Sequence, residues 1–315
     1  MNYAVIDLGS NSIRLSVYER PNGQINKIFN KKEIASLAGY ISNGVMDTIG
    51  IQKACAVIND FKETALKFVE LPNLHLFATA SIRNIANRDE AVNAIIEATT
   101  LTPDVIEGNE EASLGYIGAS AFMNCENGIM IDIGGASTEF VLFKDYKAEN
   151  LISIPIGSLN LSVEHVSKII PTEHEWKRIK SVVKSQFTEI DWGKGINCPL
   201  MVGIGGTLRA ALKLSSIIFD IPAEQNDIQA CHLKEIIKLL RKNKNDIYHT
   251  VYRAAPERLM TISTGLIILQ QAIKKFGCET ISVSRFGIRE GYLMDRVLMA
   301  NGKNSINIDE KSRDD

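Results

Sequence analysis

YAVIDLGSNSIRLSVYE, residues 3–19, returns in plan as GIMIDIGGASTEFVLFK, residues 128–144, an offset of 125 positions. Laid one above the other, Asp7 falls on Asp132, Gly9 on Gly134 and Ser12 on Ser137. Each copy opens with a short apolar run that ends in an acid. A glycine turn follows, and the chain comes back with the alternation of a half-buried strand. A hairpin needs no repeated acid in order to turn, so the recurrence points to one structural plan used twice. It predicts two similar α/β domains facing each other across a cleft, with the two turns at its floor.

The rest of the chain bounds what such a protein can be. Its 315 residues exceed the size at which a single core usually stops growing, which agrees with two domains. A hydrophobic fraction of 45% and a charged fraction of 23% describe an ordinary soluble globular protein. The net charge of −2 excludes a global basic field for nucleic acid, so an anionic ligand must be held locally. Five widely spaced cysteines, none in C-x-x-C, argue against a disulfide framework or a thiolate zinc site and fit a reducing cytoplasm. The N-terminus lacks a basic leader and puts Asp7 within the apolar run. No stretch of 18 uncharged apolar residues occurs, so neither a signal peptide nor a membrane span is expected.

Between the two copies, Asn22-Gly23 signals a hairpin and Asn43-Gly44 closes a loop ahead of a helix expected over 47–70. There Ile51, Ala54, Cys55, Ile58, Phe61, Ala65 and Phe68 recur at helical steps and mark one buried face. Leu74 to Ala78 is a strand leading into Thr79-Ala80-Ser81-Ile82-Arg83, Glu90 to Ala98 a helix, and Glu107 to Ala112 a polar turn opening another. Further helices are expected near 172–190, 206–218, 232–242, 257–276 and 288–299. The domains are placed at 1–124 and 125–287, with a C-terminal helix near 288–300 available to pack back on the first and a polar tail over 301–315.

A tight glycine turn lets backbone N–H groups approach an anion, and neighbouring Ser and Asn side chains add donors. No Walker loop occurs, and Gly203 to Leu208 fails the dinucleotide pattern at its last position, which disfavours a nicotinamide enzyme. Asp7, Asp132 and Glu139 are hard oxygen donors suited to Mg²⁺, which binds through one or two carboxylates plus substrate phosphate; capping the turn is their plain structural role. The five histidines are scattered without ligand spacing.

In order and spacing, DLGSNSIRL, ATASIR, GNEEA and DIGGASTE resemble the successive motifs of the exopolyphosphatase/guanosine pentaphosphate phosphatase (Ppx/GppA) family. GIGGTLRAA (203–211) is similar to that family's third glycine turn, and SRFGIREGYL (284–293) to its C-terminal arginine-glutamate-glycine segment. The resemblance covers roughly residues 3–300 and implies two ribonuclease-H-like domains of the actin-like ATPase and sugar-kinase superfamily. It implies that Glu111 is the carboxylate activating the attacking water, with Glu110 as fallback, and that Arg83 grips the terminal phosphate. Ser10, Asn11 and Ser12 then form the first phosphate turn and Gly134, Gly135, Ala136 and Ser137 the second. Asp7, Asp132 and Glu139 serve Mg²⁺ or the water. Gly205, Gly206 and Thr207 are equally a distal phosphate contact and a packing turn. Ala136 stands where the family usually has a third glycine, and alanine resists positive φ, which raises the question of a reshaped turn.

The activity implied is hydrolysis of the terminal phosphoanhydride of inorganic polyphosphate, in a short two-domain branch that favours short chains. The alternative is the 5′-phosphohydrolysis of guanosine pentaphosphate, for which residues Lys213 to Phe219 are the place to seek a base pocket. A non-catalytic polyanion sensor and an actin-fold kinase are the other classes. No nucleic-acid polymer or membrane is expected as partner. Apolar positions in 257–276 and 288–299 suit a homodimer interface and internal packing equally.

Overall fold

The computed structural model describes all residues except 22–23, 122, 124, 194, 223, 243–244, 300–306 and 309–315. The turn expected at Asn22-Gly23 and most of the tail expected over 301–315 therefore lie outside the described residues. The chain divides into two compact units, Met1–Glu110 with Ile288–Asp315, and Glu111–Gly287.

In unit 1, strands β1 (Asn2–Leu8), β2 (Ile13–Glu19) and β3 (Gln24–Glu33) form an antiparallel meander. Helix α1 (Thr48–Ala65) then carries the chain over the sheet, so that β4 (Leu74–Ala78) lies parallel to β1. Helices α2 (Ala80–Arg83) and α3 (Arg88–Thr99) lead to β5 (Asp104–Val105), parallel to β4. The strand order is β3-β2-β1-β4-β5, with the short Asn307–Ile308 beside β3. Asp47 starts α1 by accepting from the Gly50 amide at 2.8 Å, and the expected apolar face from Ile51 to Ala65 is buried under the sheet. Phe68 departs from that expectation: the helix ends at Ala65, and Phe68 is 38% exposed, stacked on Phe29 at the margin.

Helix α4 (Gly108–Ser120) opens on the last residues of unit 1 and continues into unit 2. Unit 2 repeats the plan. Strands β6 (Gly128–Ile133), β7 (Thr138–Lys144) and β8 (Lys147–Ile154) form the meander, and helices α5 (Ser158–His165) and α6 (Glu173–Gln186) cross to β9 (Leu200–Ile204), parallel to β6. Helix α7 (Gly205–Phe219), strand β10 (Asp227–Gln229) and helices α8 (Ala230–Arg241), α9 (Asn245–Ala254) and α10 (Ile262–Phe276) precede β11 (Thr280–Val283). The order β8-β7-β6-β9-β11-β10 matches unit 1 strand for strand through its first five positions. This is the ribonuclease-H-like plan that the family resemblance implies, used twice, as the repeat predicts for a shared plan. Returning to unit 1, α11 (Ile288–Tyr292) runs on as a π-helix through Leu293–Met299.

The helix expected over 257–276 is two elements. Pro256–Arg258 forms a separate 3₁₀ turn, and α10 starts at Ile262. The break turns Arg258 into the interior, where it is 5% exposed. The long helix expected near 172–190 likewise closes at Gln186. The core of unit 2 is built on Ile129, Ile131, Phe140, Leu266 and Phe276, all 0% exposed. Among the described residues, no helix is long and apolar enough to cross a membrane.

Candidate active site residues in the two units

Because β1 and β2 pair in register, Asp7 stands opposite Arg14; in unit 2 the same pairing puts Asp132 opposite Glu139. The repeated hairpins therefore carry opposite charge patterns. The acid of unit 1 is balanced within the chain, because Arg289 Nε also lies 3.9 Å from Asp7 Oδ2. In unit 2 the two facing residues are both acids, and Asp132 acts electrostatically on the buried Arg258.

In unit 1, Ser10, Asn11 and Ser12 are buried in the turn after β1. The loop that follows β3 braces this turn: Ser36 N donates to Asn11 O at 2.8 Å and Ala38 N to Ser10 O at 3.2 Å. Arg14 Nε donates to Ser12 Oγ at 3.3 Å. Asn11 Nδ2 is buried with no hydrogen-bond acceptor, an unsatisfied donor in the turn assigned to phosphate. Ser81 Oγ donates to Leu8 O at 3.1 Å, which fastens the segment carrying Arg83 to the end of β1. Arg83 Nη1 itself donates to Ile106 O at 2.9 Å. Burial raises the Asp7 carboxyl, while Arg289 and Arg14 pull it down.

Glu110 and Glu111, adjacent in sequence, have different surroundings. Glu110 accepts from the Glu107 amide at 3.1 Å and from Arg296 Nη2 at 2.6 Å, and these two bonds hold its carboxyl below the ordinary value. It serves as a helix-start brace. Glu111 instead acts electrostatically on Glu139.

Glu139 is 1% exposed. Its Oε1 accepts from Ser153 Oγ at 2.7 Å, whereas Oε2 is buried with no partner. Burial first, and then the negative charges of Glu111 and Asp132, push this carboxyl well above the usual range, against the opposing hydroxyls of Ser137 and Ser153. The turn before it is folded on itself: Gly134 N donates to Ser137 O at 3.0 Å, and Ser158 N and Leu159 N donate to the carbonyls of Gly134 and Gly135 at 2.9 and 2.8 Å. Ala136 is not among the positive-φ residues, and neither is Gly134 or Gly135. Alanine therefore fits this turn without backbone strain, which answers the question its sequence raised.

Gly205 and Gly206 open α7 beneath Asp132. A Cβ on Gly205 would fall on Asp132 Oδ1, and one on Gly206 would fall on the guanidinium of Arg258. Thr207 is 1% exposed and donates its hydroxyl to Ile133 O at 3.3 Å, which gives its side chain a packing role. The Arg258 guanidinium is buried with Nε unpartnered, and burial depresses its pKa against the opposing pull of Glu257 and Asp132. Nothing in its local sequence distinguishes it from a surface arginine; only the break between Pro256–Arg258 and α10 turns it inward. Arg289 and Glu290 lie in the quoted SRFGIREGYL segment, but no role follows from their sequence alone.

Among the described residues, no group of three or more His, Cys, Asp or Glu side chains is arranged as a metal cage. The donors that are present, Asp132 and Glu139 with its orphaned buried oxygen, instead fit a hard cation that takes one or two carboxylates and completes its shell with water and phosphate oxygens, which is the habit of Mg²⁺. Asp7, already faced by two arginines, fits an outer role.

Two ribonuclease-H-like units, each with an acid at the end of its first strand and a glycine turn after it, define the actin-like ATPase class of fold. The chain belongs to the Ppx/GppA phosphatase family, whose model matches residues 16–300. A bifunctional 3-dehydroquinate synthase/phosphatase of Fusobacterium nucleatum subsp. nucleatum is 27% identical over 310 residues, 93% of this chain and 46% of that protein. A guanosine-5′-triphosphate,3′-diphosphate pyrophosphatase of Pseudoalteromonas atlantica is 26% identical over 303 residues, 92% of this chain and 58% of that protein. The crystal structure of the Aquifex aeolicus Ppx/GppA family member superposes with a TM-score of 0.76 at 25% identity, covering 96% of this chain and 99% of that one. The chain spans about half the length of the curated relatives it matches.

Proposed function

We propose that the protein is a phosphatase that hydrolyses a terminal phosphoanhydride and releases orthophosphate. The observation that carries this reading is the buried Glu139, with one free carboxyl oxygen, grouped with Asp132 and Glu111 beside a turn whose donors suit phosphate. Packing alone gives no reason to bury a carboxyl where the charges of Glu111 and Asp132 act on it. A base that takes a proton from water, a cation to offset developing charge and fixed donors for phosphate oxygens are the parts that phosphoryl transfer requires.

Glu111 takes the proton of the attacking water, because its charge acts on Glu139, whereas the Glu110 carboxyl is held by the Glu107 amide and Arg296. Asp132 and Glu139 would hold Mg²⁺, which would supply positive charge to offset that on the phosphate oxygens. The turn at Ser10–Ser12 in unit 1 and the turn at Gly134–Ser137 in unit 2 each offer donors suited to phosphate oxygens. Arg83 in unit 1 and the buried Arg258 in unit 2 are each a guanidinium suited to a phosphate oxygen.

For the substrate, the relatives named above favour guanosine pentaphosphate over the polyphosphate that the sequence suggests first. One of them is named for that nucleotide, and so are several further relatives at 25–26% identity. Polyphosphate remains the second reading, because the donors of the turns engage phosphates and none of them requires a base.

Phosphate release should be measured with Mg²⁺ on guanosine pentaphosphate, short polyphosphate and long polyphosphate side by side. Glu111→Gln is expected to fold normally and to lose on the order of 10²- to 10⁴-fold in turnover. Glu110→Gln should cost less than about 1 kcal/mol of stability and keep its activity. Equal turnover by Glu111→Gln and wild type would remove Glu111 from the mechanism, and faster release from polyphosphate would reverse the substrate order.

A further inference from the structure

Helix α11 returns to the first hairpin from the far end of the chain and is fastened there by two consecutive charged residues. Arg289 Nη1 donates to Ser16 Oγ at 2.7 Å and to Asn30 Oδ1 at 3.3 Å. Glu290, 1% exposed, accepts from Tyr18 OH at 2.7 Å. Ser16 and Tyr18 are two residues apart on β2 and so share a face, and Arg14 is the next residue along that same face. Asn30 is the register partner of Ser16 on β3, and Asp7 is the partner of Arg14 on β1. One side of the meander thus presents a connected row, with the Arg289 guanidinium tethered by its Nη1 end and its Nε edge 3.9 Å from Asp7 Oδ2.

Asp7 therefore stands between two cations, one of which has another task. Arg14 Nε donates to Ser12 Oγ in the phosphate turn. Were Asp7 left with Arg14 alone, the nearest full positive charge would be the one that braces Ser12. In a partly buried setting a carboxylate draws such a partner.

We propose that Arg289 is a positioning residue that engages Asp7 so that Arg14 stays on Ser12 and the first phosphate turn keeps its binding shape. Glu290 and Tyr18 pin the helix that delivers it. The proposal rests on the phosphatase reading only in taking residues 10–12 as a phosphate turn.

The test uses the full chain and two readouts: affinity for inorganic phosphate by isothermal titration calorimetry, and kcat and KM on the substrate the wild type prefers. Arg289→Met should weaken phosphate binding about tenfold, the size expected for loss of a buried charge-assisted contact, with the loss falling on KM more than on kcat. Arg289→Lys, which keeps the charge without the fork, should recover part of it. In an Asp7→Asn background, Arg14 has no carboxylate to be drawn to, so adding Arg289→Met should cost little further affinity. A merely structural role would lower the melting temperature and make the two substitutions multiply. Should Arg289→Met fail to fold, Ser16→Ala removes one tether and leaves the buried charge in place, and it should show a smaller loss of the same sign.

Unchanged phosphate affinity in both Arg289→Met and Ser16→Ala, or losses that multiply with Asp7→Asn, would overturn the positioning role. A wild type that turns over while Arg289→Met matches it defeats this proposal alone. A wild type that releases no phosphate from any of the three substrates defeats the phosphatase reading.

Discussion

Gly205→Ala isolates the contact on which the unit 2 carboxyl group depends. Gly205 has φ +89°, and a Cβ there would land on Asp132 Oδ1, with Asp132 Cγ at 3.5 Å and Ile133 O at 3.6 Å. Holding alanine in that backbone region costs about 1–3 kcal/mol. Turning Asp132 off its rotamer to make room adds about 0.5–1.5 kcal/mol. The sum expected is about 3 kcal/mol. Gly44→Ala is the control, since Gly44 has φ +76° but no atom within 4 Å of the added carbon, so only a strain of about 1–2 kcal/mol applies. Urea denaturation of both variants would give the difference between them, which is the cost of displacing Asp132. Because a misplacement of this size near the reacting groups costs about 10²-fold, Gly205→Ala should also lose that much turnover, whereas Gly44→Ala should keep wild-type rates. Equal destabilisation by the two substitutions, or normal turnover by Gly205→Ala, would refute the placement of Asp132 against the start of α7.

Other consequences are checkable at less cost. Glu175 caps α6 by accepting from Thr172 N at 2.7 Å and Ser167 N at 2.9 Å, which lowers its pKa to about 2 from 4.5. A depressed carboxyl contributes stability that is complete above about pH 4.5 and is lost as pH falls toward 2. Glu175→Gln should therefore cost about 1 kcal/mol at pH 7, discounted for its partial exposure, and nothing at pH 2. The sign reverses for Glu139, whose carboxyl is raised above 4.5, so metal-free stability should fall as pH rises from there toward neutrality. Glu139→Gln should flatten that slope in denaturation with chelator present while abolishing turnover, and an unchanged slope would show that Glu139 is not its source. Phe140, 0% exposed between Phe187 and Phe276 with ring centroids at 5.3 and 5.7 Å, should cost about 3–5 kcal/mol as alanine, read by urea midpoint.

Much of the fold is legible because its signals are local. The repeated strand, acid and turn depend on a few adjacent residues, so the meanders at 3–19 and 128–144 can be drawn from the letters alone. Helix ends are less so: the apolar period suggests that α1 continues past Ala65 to Phe68, but packing under the sheet stops before it. The break ahead of α10 has the same character, since helical spacing runs through 257–261 while burial of Arg258 requires the chain to turn there.

The site divides along the same line. The identities of Asp7, Asp132, Glu139 and Glu111 follow from motif and repeat, because residue type and order carry that information. What each acid faces does not. That Arg14 and not another acid stands across from Asp7 is a matter of strand register. That Arg289 reaches Ser16 from 273 positions away, and that Arg258 fills the space left by Gly206, follows from packing between segments remote in sequence. The sequence determined which chemistry the two hairpins can offer, through local pattern. Tertiary structure decided how the charges are shared, setting Asp7 against Arg14 and Arg289 in one hairpin and Asp132 against Glu139 and Arg258 in the other, because electrostatic balance depends on distance and burial, which only the folded chain sets.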